Sequence, residues 1–435
     1  MENNTVLFWH RRDLRIHDNH GLYKSLTSGY KVVPIFIFDT TILSKLKSDD
    51  QRVIFIHQFV KKLKNQYQSF GSDLHVYAGN PIDLIPTLAQ KYKAKKVFTN
   101  RDYEPYALER DKTIFEKLKL SEIDFIGSKD HVIFEKNEVI KDDGKPYTVF
   151  TPYSKKWKSI LSDEHLKSYE TTKHTNQLLS FSEKSALISL EELGFQKEAK
   201  VNFPEDKAAI SVLSNYSEQR DFPAVNGTSK LGVHLRFGTI SIRELANQAK
   251  QTNETYLKEL IWRDFYQMII YHFPHSAENS FRPAYDRIPW ENNETLFKAW
   301  CEGKTGYPLV DAGMRELNTS GYMHNRVRMV VASFLTKHLL IDWCWGAAYF
   351  AEKLLDFELA SNSGGWQWAA GSGCDAAPYF RIFNPTLQLE KFDKELRYVK
   401  HWVPEYGTAS YVKPIVEHAI VTKRTIAVFK ETLNS

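Results

Sequence analysis

Five short apolar runs alternate with helix-period stretches over the first 128 residues, and no other feature constrains the fold as strongly. The runs are 5–9 (TVLFW), 32–38 (VVPIFIF), a weaker one ending at Val76-Tyr77, 96–99 (KVFT) and 123–126 (IDFI). Between them, apolar residues recur at helical spacing over 51–69, 81–93 and 105–119. Strands alternating with helices predict a parallel, doubly wound sheet. Such a sheet takes ligands at the carboxyl ends of its strands. The first run is not followed by Gly-x-Gly-x-x-Gly, and there is no Walker loop, so this is not an ordinary dinucleotide or ATP domain. From 129 to 198, charged residues, Ser and Thr dominate, and the stretch reads as a connector with a few helical turns. Helical periodicity then returns at 241–250, 254–272, 295–302, 308–319, 325–341, 345–356 and 415–431. The expected architecture is α/β plus all-α: a sheet domain over 1–128, a connector over 129–198 and a helical domain over 199–435.

Composition sharpens two points. Eight of the ten tryptophans follow residue 260, so the helical half is built around indoles. The net charge of +5 is spread, with +4 over 1–195 and +1 over the rest, so any nucleic-acid surface must be a local patch. Cys301, Cys344 and Cys374 are too few and too scattered for a disulfide framework or a zinc site, and no metal is expected. They fit a reducing compartment. The N-terminus lacks the basic start and apolar run of a signal peptide. No apolar stretch approaches the roughly 18 residues of a membrane helix. A cytoplasmic chain without a membrane partner is expected.

Four stretches carry candidate chemistry. In 254–266 (ETYLKELIWRDFY), Glu259, Trp262, Arg263 and Tyr266 fall at i, i+3, i+4 and i+7, on one helix face. A carboxylate, an indole and a guanidinium on one stripe suit a pocket for something flat and polar; an Arg–Glu surface pair beside a core Trp is the plainer alternative. In 322–329 (YMHNRVRM), Asn325, Arg328 and Met329 share a face, with Arg326 to the side. Such arginines pair with phosphates, or stand exposed on a polar helix start. The stretch 356–385 is dense in Gly, Ala, Ser and Trp, and reads as a ligand pocket around Gly364 and Gly365. Thr228, Ser229 and Lys230 can hold a phosphate, or simply cap a helix. Together these suit a flavin- or nucleotide-binding redox enzyme, or a nucleic-acid module with stacking aromatics.

The motifs WHRRDLRIHDN (9–19), NRDYEPYALERD (100–111), GTSKL, ELIWRDFYQ, WCEGKTGYPLVDAGMRELNTSGYMHNRVRM and GGWQWAAGSGCDAAPYFRIFNP resemble the DNA photolyase/cryptochrome family. Within it, the chain is most similar to the class I cyclobutane pyrimidine dimer photolyases. The resemblance implies an antenna domain, a connector and a helical domain holding reduced, non-covalent FAD. It implies a carbon–carbon lyase that repairs pyrimidine dimers in DNA by light-driven electron transfer, and that works as a monomer. Tyr216, Thr228, Ser229, Lys230 and Leu231 match FAD positions near the diphosphate, and Arg263, Arg328, Asp356, Glu358 and Asn362 match positions around the rest of the cofactor. Glu259 matches the carboxyl that hydrogen-bonds the dimer, Asn325 and Met329 match substrate contacts, and Trp262 and Trp368 match the indoles packed on it. Trp366, Trp343 and Trp290 match an electron-transfer chain to the surface, and Arg326, Arg381 and Lys391 match basic positions around the DNA cavity.

Departures from the family pattern are few. Lys230 stands where Arg is common, Gly232 for Ser, Glu358 for Asp, Ser363 for Asn, and Tyr322 for Trp. Tyr106 and Ala107 stand where folate-binding members have Asn and Glu, and NRDYEPYALERD looks more like the deazaflavin-binding members; the candidates for a second chromophore are a deazaflavin, a flavin, a folate or an empty site. The alternatives are a (6-4) photolyase, whose paired histidines are half missing at His324-Asn325, and a cryptochrome-type photoreceptor, which often loses the Glu259 and Trp262 equivalents.

Overall fold

The computed structural model describes residues 4–434. The chain forms two compact units, neither continuous in sequence. The first comprises residues up to 138 together with 158–206 and 231–251; the second comprises 139–157, 207–230 and the chain from 252 onward. This division does not follow the boundaries at 128 and 198 drawn from composition. Polarity marks exposed chain, but it does not report which unit a segment packs into.

In the first unit, β1 (Thr5–His10), β2 (Lys31–Asp39), β3 (His75–Gly79), β4 (Ala94–Asn100) and β5 (Asp124–Ser128) form one sheet in the order β3-β2-β1-β4-β5, all parallel. Helices α1 (His20–Leu26), α2 (Gln51–Ser69), α3 (Pro81–Lys91) and α4 (Pro105–Lys119) connect them. The two-residue period of the strands divides the core. Val6, Phe8, Phe36 and Phe38 pack with Leu22 of α1 and Leu63 and Tyr67 of α2. Leu7, Trp9, Ile35 and Ile37 pack with Ile85 of α3 and Ile114 of α4 on the other face. Strand order reverses between β1 and β4, where a doubly wound sheet opens its crevice. Here the guanidiniums of Arg11 and Arg110 each lie 4.9 Å from the Trp9 ring.

Residues 231–251 join this sheet through polar bonds. Arg15 Nη1 donates to the Gly238 carbonyl at 2.9 Å, and the Leu14 N–H donates to the Phe237 carbonyl at 3.1 Å. Gly238 has φ +61°, and a Cβ there would run into the Arg12 and Asp13 backbone, so only glycine fits. On α5 (Ile242–Thr252), Arg243 reaches Asp18 at 3.0 Å and Asp130 at 2.8 Å, and Arg15 also donates to Asp130 at 2.8 Å. Burial alone raises the Asp130 carboxyl, but Arg15 and Arg243 outweigh it and hold the group well below the ordinary carboxylate range.

The second unit is helical: α6 (Glu254–His272), α7 (Glu294–Cys301), α8 (Pro308–Ser320), α9 (Asn325–Ser333), α10 (Trp343–Lys353), α11 (Leu359–Ala370), α12 (Pro385–Phe392) and α13 (His418–Asn434), with shorter turns between. The helix expected over 325–341 stops at Ser333 and continues as a wider π turn over Phe334–His338. Among the described residues, no helix is long and apolar enough to cross a membrane.

Candidate functional site

Asn253 opens α6 by accepting hydrogen bonds from the Thr255 and Tyr256 N–H groups. The helix then presents Glu259, Trp262, Arg263 and Tyr266 along one stripe. Arg263 Nη2 donates to Glu358, just ahead of α11, at 3.0 Å. The Trp262 ring stacks on Phe150, with centroids 3.6 Å apart and planes 5° apart. Gly364 of α11 carries no Cβ because the Tyr266 ring occupies that space. This contact explains Gly364, which lets α11 approach α6 closely, whereas a Cβ at Gly365 would meet open space.

α8 ends at Gly321, and the turn to α9 is held from beneath. Glu316 accepts from the His324 N–H at 3.1 Å and from Tyr398 Oη at 2.6 Å. His324 caps α9 with its Nδ1, which accepts from the Arg326 N–H at 3.2 Å. Burial and the neighbouring Arg328 lower this imidazole to about 4, so it stays neutral. Asn325 is exposed at the first position of the helix. Arg328 donates to the Met323 carbonyl at 2.7 Å and to both Asp356 oxygens at 2.9 and 3.2 Å. Burial disfavours its charge, but Asp356 outweighs burial and the guanidinium stays protonated.

The 227–230 loop meets these elements. Thr228 Oγ1 lies 3.1 Å from Tyr322 Oη, and Tyr256 Oη donates to Ser229 Oγ at 2.9 Å. Lys230 adopts φ +53°, and its ammonium lies 5.5 Å from the Tyr322 ring, with Arg328 also against that ring at 5.6 Å. Leu231, the next residue, is buried at the start of the segment that belongs to the first unit. Tyr216 sets its ring edge-on to Tyr256 at 5.0 Å. Asn362 donates its amide to the Ala347 carbonyl at 3.1 Å.

Two residues that the sequence reading did not single out complete the wall. Arg220 forms a close ion pair with Glu259 and lies 5.4 Å from the Tyr216 ring. Asp221 accepts from Arg326 at 2.7 Å. A guanidinium four residues after Tyr216 was the available signal; its partner lies 39 residues away. Burial raises the Glu259 carboxyl above its ordinary value, against the pull of Arg220.

Trp366 and Trp343 are buried and Trp290 half-buried, all packed in or against one core cluster. Phe350 and Trp300 are ring neighbours of Trp366, at 4.9 and 6.0 Å. Trp368 faces Phe383 at 6.3 Å. Arg326 touches Met329 Sδ at 3.9 Å. Arg381 and Lys391 are exposed, Arg381 near the Phe383 ring and Lys391 near the Phe392 ring, and the structure does not bring them into the cluster around Arg328.

The donor set fits a large, flat, anionic ligand. Arg328 keeps 25% of its side chain accessible while paired with Asp356. Lys230, Arg263, Arg328, Thr228 and Ser229 supply cations and hydroxyls for phosphates. Asp356 and Glu358 supply acceptors for hydroxyl or ring N–H groups. Among the described residues, no group of three His, Cys, Asp or Glu side chains stands together as a metal site.

Comparison with known proteins agrees with this cradle. Residues 6–172 match the DNA photolyase family, and 256–425 match the FAD binding domain of DNA photolyase. The deoxyribodipyrimidine photo-lyase of Synechococcus sp. is 37% identical over 98% of this chain and 96% of its own length. A bacterial class III photolyase from Agrobacterium tumefaciens superposes with a TM-score of 0.89 at 31% identity, over 100% of this chain and 99% of that one. An archaeal photolyase from Sulfolobus tokodaii, solved with two FAD molecules, superposes with a TM-score of 0.84 at 32% identity, over 98% and 100%. With a doubly wound sheet unit, a helical unit and a polar cradle that fits FAD, the chain belongs to the DNA photolyase family.

Proposed function

We propose that this chain repairs cyclobutane pyrimidine dimers in DNA as a class I-type photolyase, acting as a monomer in the cytoplasm. The observation that carries the reading is Glu259. It is a carboxyl with its proton affinity raised by burial, on the same stripe as the stacked indole Trp262. When bound, reduced FAD supplies an electron to the dimer on excitation and recovers it after the ring opens. The protein positions both partners. Arg263, Arg328 and Lys230 would hold the cofactor's polar parts, and Asn362, which donates its amide to the Ala347 carbonyl, would offer its amide oxygen to the flavin ring. Trp262 and Trp368 flank the extruded dimer, which costs less to flip than a paired base. Asn325 and Met329 contact it, while Arg326, Arg381 and Lys391 meet phosphates. In its protonated form, which burial favours and the Arg220 pair opposes, Glu259 would donate to a base carbonyl as negative charge arrives there.

The (6-4) reading is disfavoured by His324, a neutral helix cap whose Nδ1 is already engaged. The cryptochrome reading is disfavoured by Glu259 and Trp262. Reduced, FAD-loaded protein under blue light is expected to restore intact thymines from thymine dimers in DNA. Dimers that persist through that irradiation overturn the reading. The absorption spectrum of the same preparation reports any second chromophore.

Trp366→Phe tests the indole chain separately. Photoreduction of the oxidised cofactor is expected to stop, while repair after dithionite reduction is retained. Unchanged photoreduction would remove Trp366 from the path.

A further inference from the structure

Four side chains of the second unit form a row of alternating charge: Glu259, Arg220, Asp221 and Arg326. Arg220 Nη1 pairs with Glu259, and its Nε lies 3.8 Å from Asp221 Oδ1. The same Asp221 oxygen accepts from Arg326 Nη2 at 2.7 Å. The Arg326 guanidinium also lies 4.4 Å from the Phe392 ring, and its Nε has no hydrogen-bond partner among the described residues. Asp221 is therefore shared by two arginines. It bonds one closely and stands a small rotation from the other.

A carboxylate and a phosphate present the same paired oxygens to a guanidinium, so Asp221 occupies Arg326 in place of DNA. Resting on the repair reading above, we infer that Asp221 is a specificity-determining residue. It moves from Arg326 to Arg220 when a dimer base engages Glu259, and this frees Arg326 for a DNA phosphate. Base recognition is thereby coupled to backbone grip. Arg220 loses part of its Glu259 bond to the base and takes Asp221 instead, so no guanidinium is left unpaired. Intact duplex brings no base to Glu259, leaves the row as it stands, and gains one phosphate contact fewer. The coupling is reciprocal, as linkage requires.

The test is dark binding by fluorescence anisotropy, with FAD-loaded protein, on a duplex carrying one thymine dimer and on the same duplex intact, over a salt series. Asp221→Asn is isosteric and removes the negative charge that holds Arg326, leaving at most a weak neutral bond. It is expected to bind intact duplex about fivefold to tenfold more tightly, with a salt slope steeper by about one unit. Binding to the damaged duplex stays within about twofold, so discrimination falls. Asp221→Glu keeps the charge and restores wild-type discrimination. Glu302→Gln, which makes the same change in net charge at an exposed pair with Lys304, leaves both affinities within about twofold. If Asp221→Asn tightens both duplexes equally, or neither, the inference is overturned. A wild-type protein that binds both duplexes alike overturns instead the repair reading beneath it.

Discussion

Arg243→Ala is expected to destabilise the first unit by about 3–5 kcal/mol, the cost of removing one partner from a buried ion pair. Asp18 and Asp130 are both fully buried, and Arg243 donates to each. Its Nη2 also bonds the Asp18 carbonyl at 2.6 Å, and the guanidinium lies 5.0 Å from the Tyr169 ring. Alanine leaves Asp18 without this cation and Asp130 with Arg15 alone. The loss is read as a lower urea midpoint and faster amide exchange in β1. A variant within about 1 kcal/mol of wild type would show that water replaces the guanidinium. The pH dependence has a definite sign. The folded-state pKa of Asp130 lies below its ordinary value of 3.8, so its contribution is complete above that value and is lost as acid carries the pH down toward the folded value. The wild type therefore loses this advantage over Arg243→Ala in strong acid.

Glu259→Ala is expected to lower repair per absorbed photon by roughly tenfold to a hundredfold, with FAD content unchanged. The variant removes a hydrogen bond to the dimer and leaves the Arg220 guanidinium with Asp221 alone, 3.8 Å from its Nε, effects of about 1.5–3 kcal/mol. Glu259→Gln separates the proton from the shape. Burial raises the wild-type carboxyl above its ordinary 4.5, so it keeps its proton to a higher pH than a free Glu. Repair by the wild type then falls as pH rises through that raised value, while the amide donates at every pH and its profile stays flat. Parallel profiles for the two proteins would take the Glu259 proton out of the reaction.

Local pattern carried much of the fold, and the exceptions share a cause. Helices 51–69, 105–119 and 254–272 coincide with their periodic stretches, because each buries a stripe of its own sequence. Helix 359–370 lies in a stretch whose Gly, Ala and Ser content speaks for a ligand pocket and against a plain core helix. Close packing on Tyr266 overrides that propensity. The unit boundaries were hidden for a related reason: Arg243 looks like any helical arginine until Asp130, 113 residues earlier, is placed beside it. At the site, the 254–266 stripe was legible by spacing alone. Arg220 and Asp221 were not, because their partners Glu259 and Arg326 lie 39 and 105 residues away.

The return of 231–251 to the first unit also sets an order of events during synthesis. All five strands have been made by residue 128, but the arginine that neutralises Asp18 and Asp130 follows Asp130 by 113 residues. At about 5–20 residues per second, that is roughly 6–23 s of elongation. The sheet cannot bury those two carboxylates in their final state until then. By that time, segments 139–157 and 207–230 of the second unit have already emerged. The two units thus mature interleaved rather than one after the other, and a fragment cut after residue 172 would hold every strand yet lack the charge that closes it.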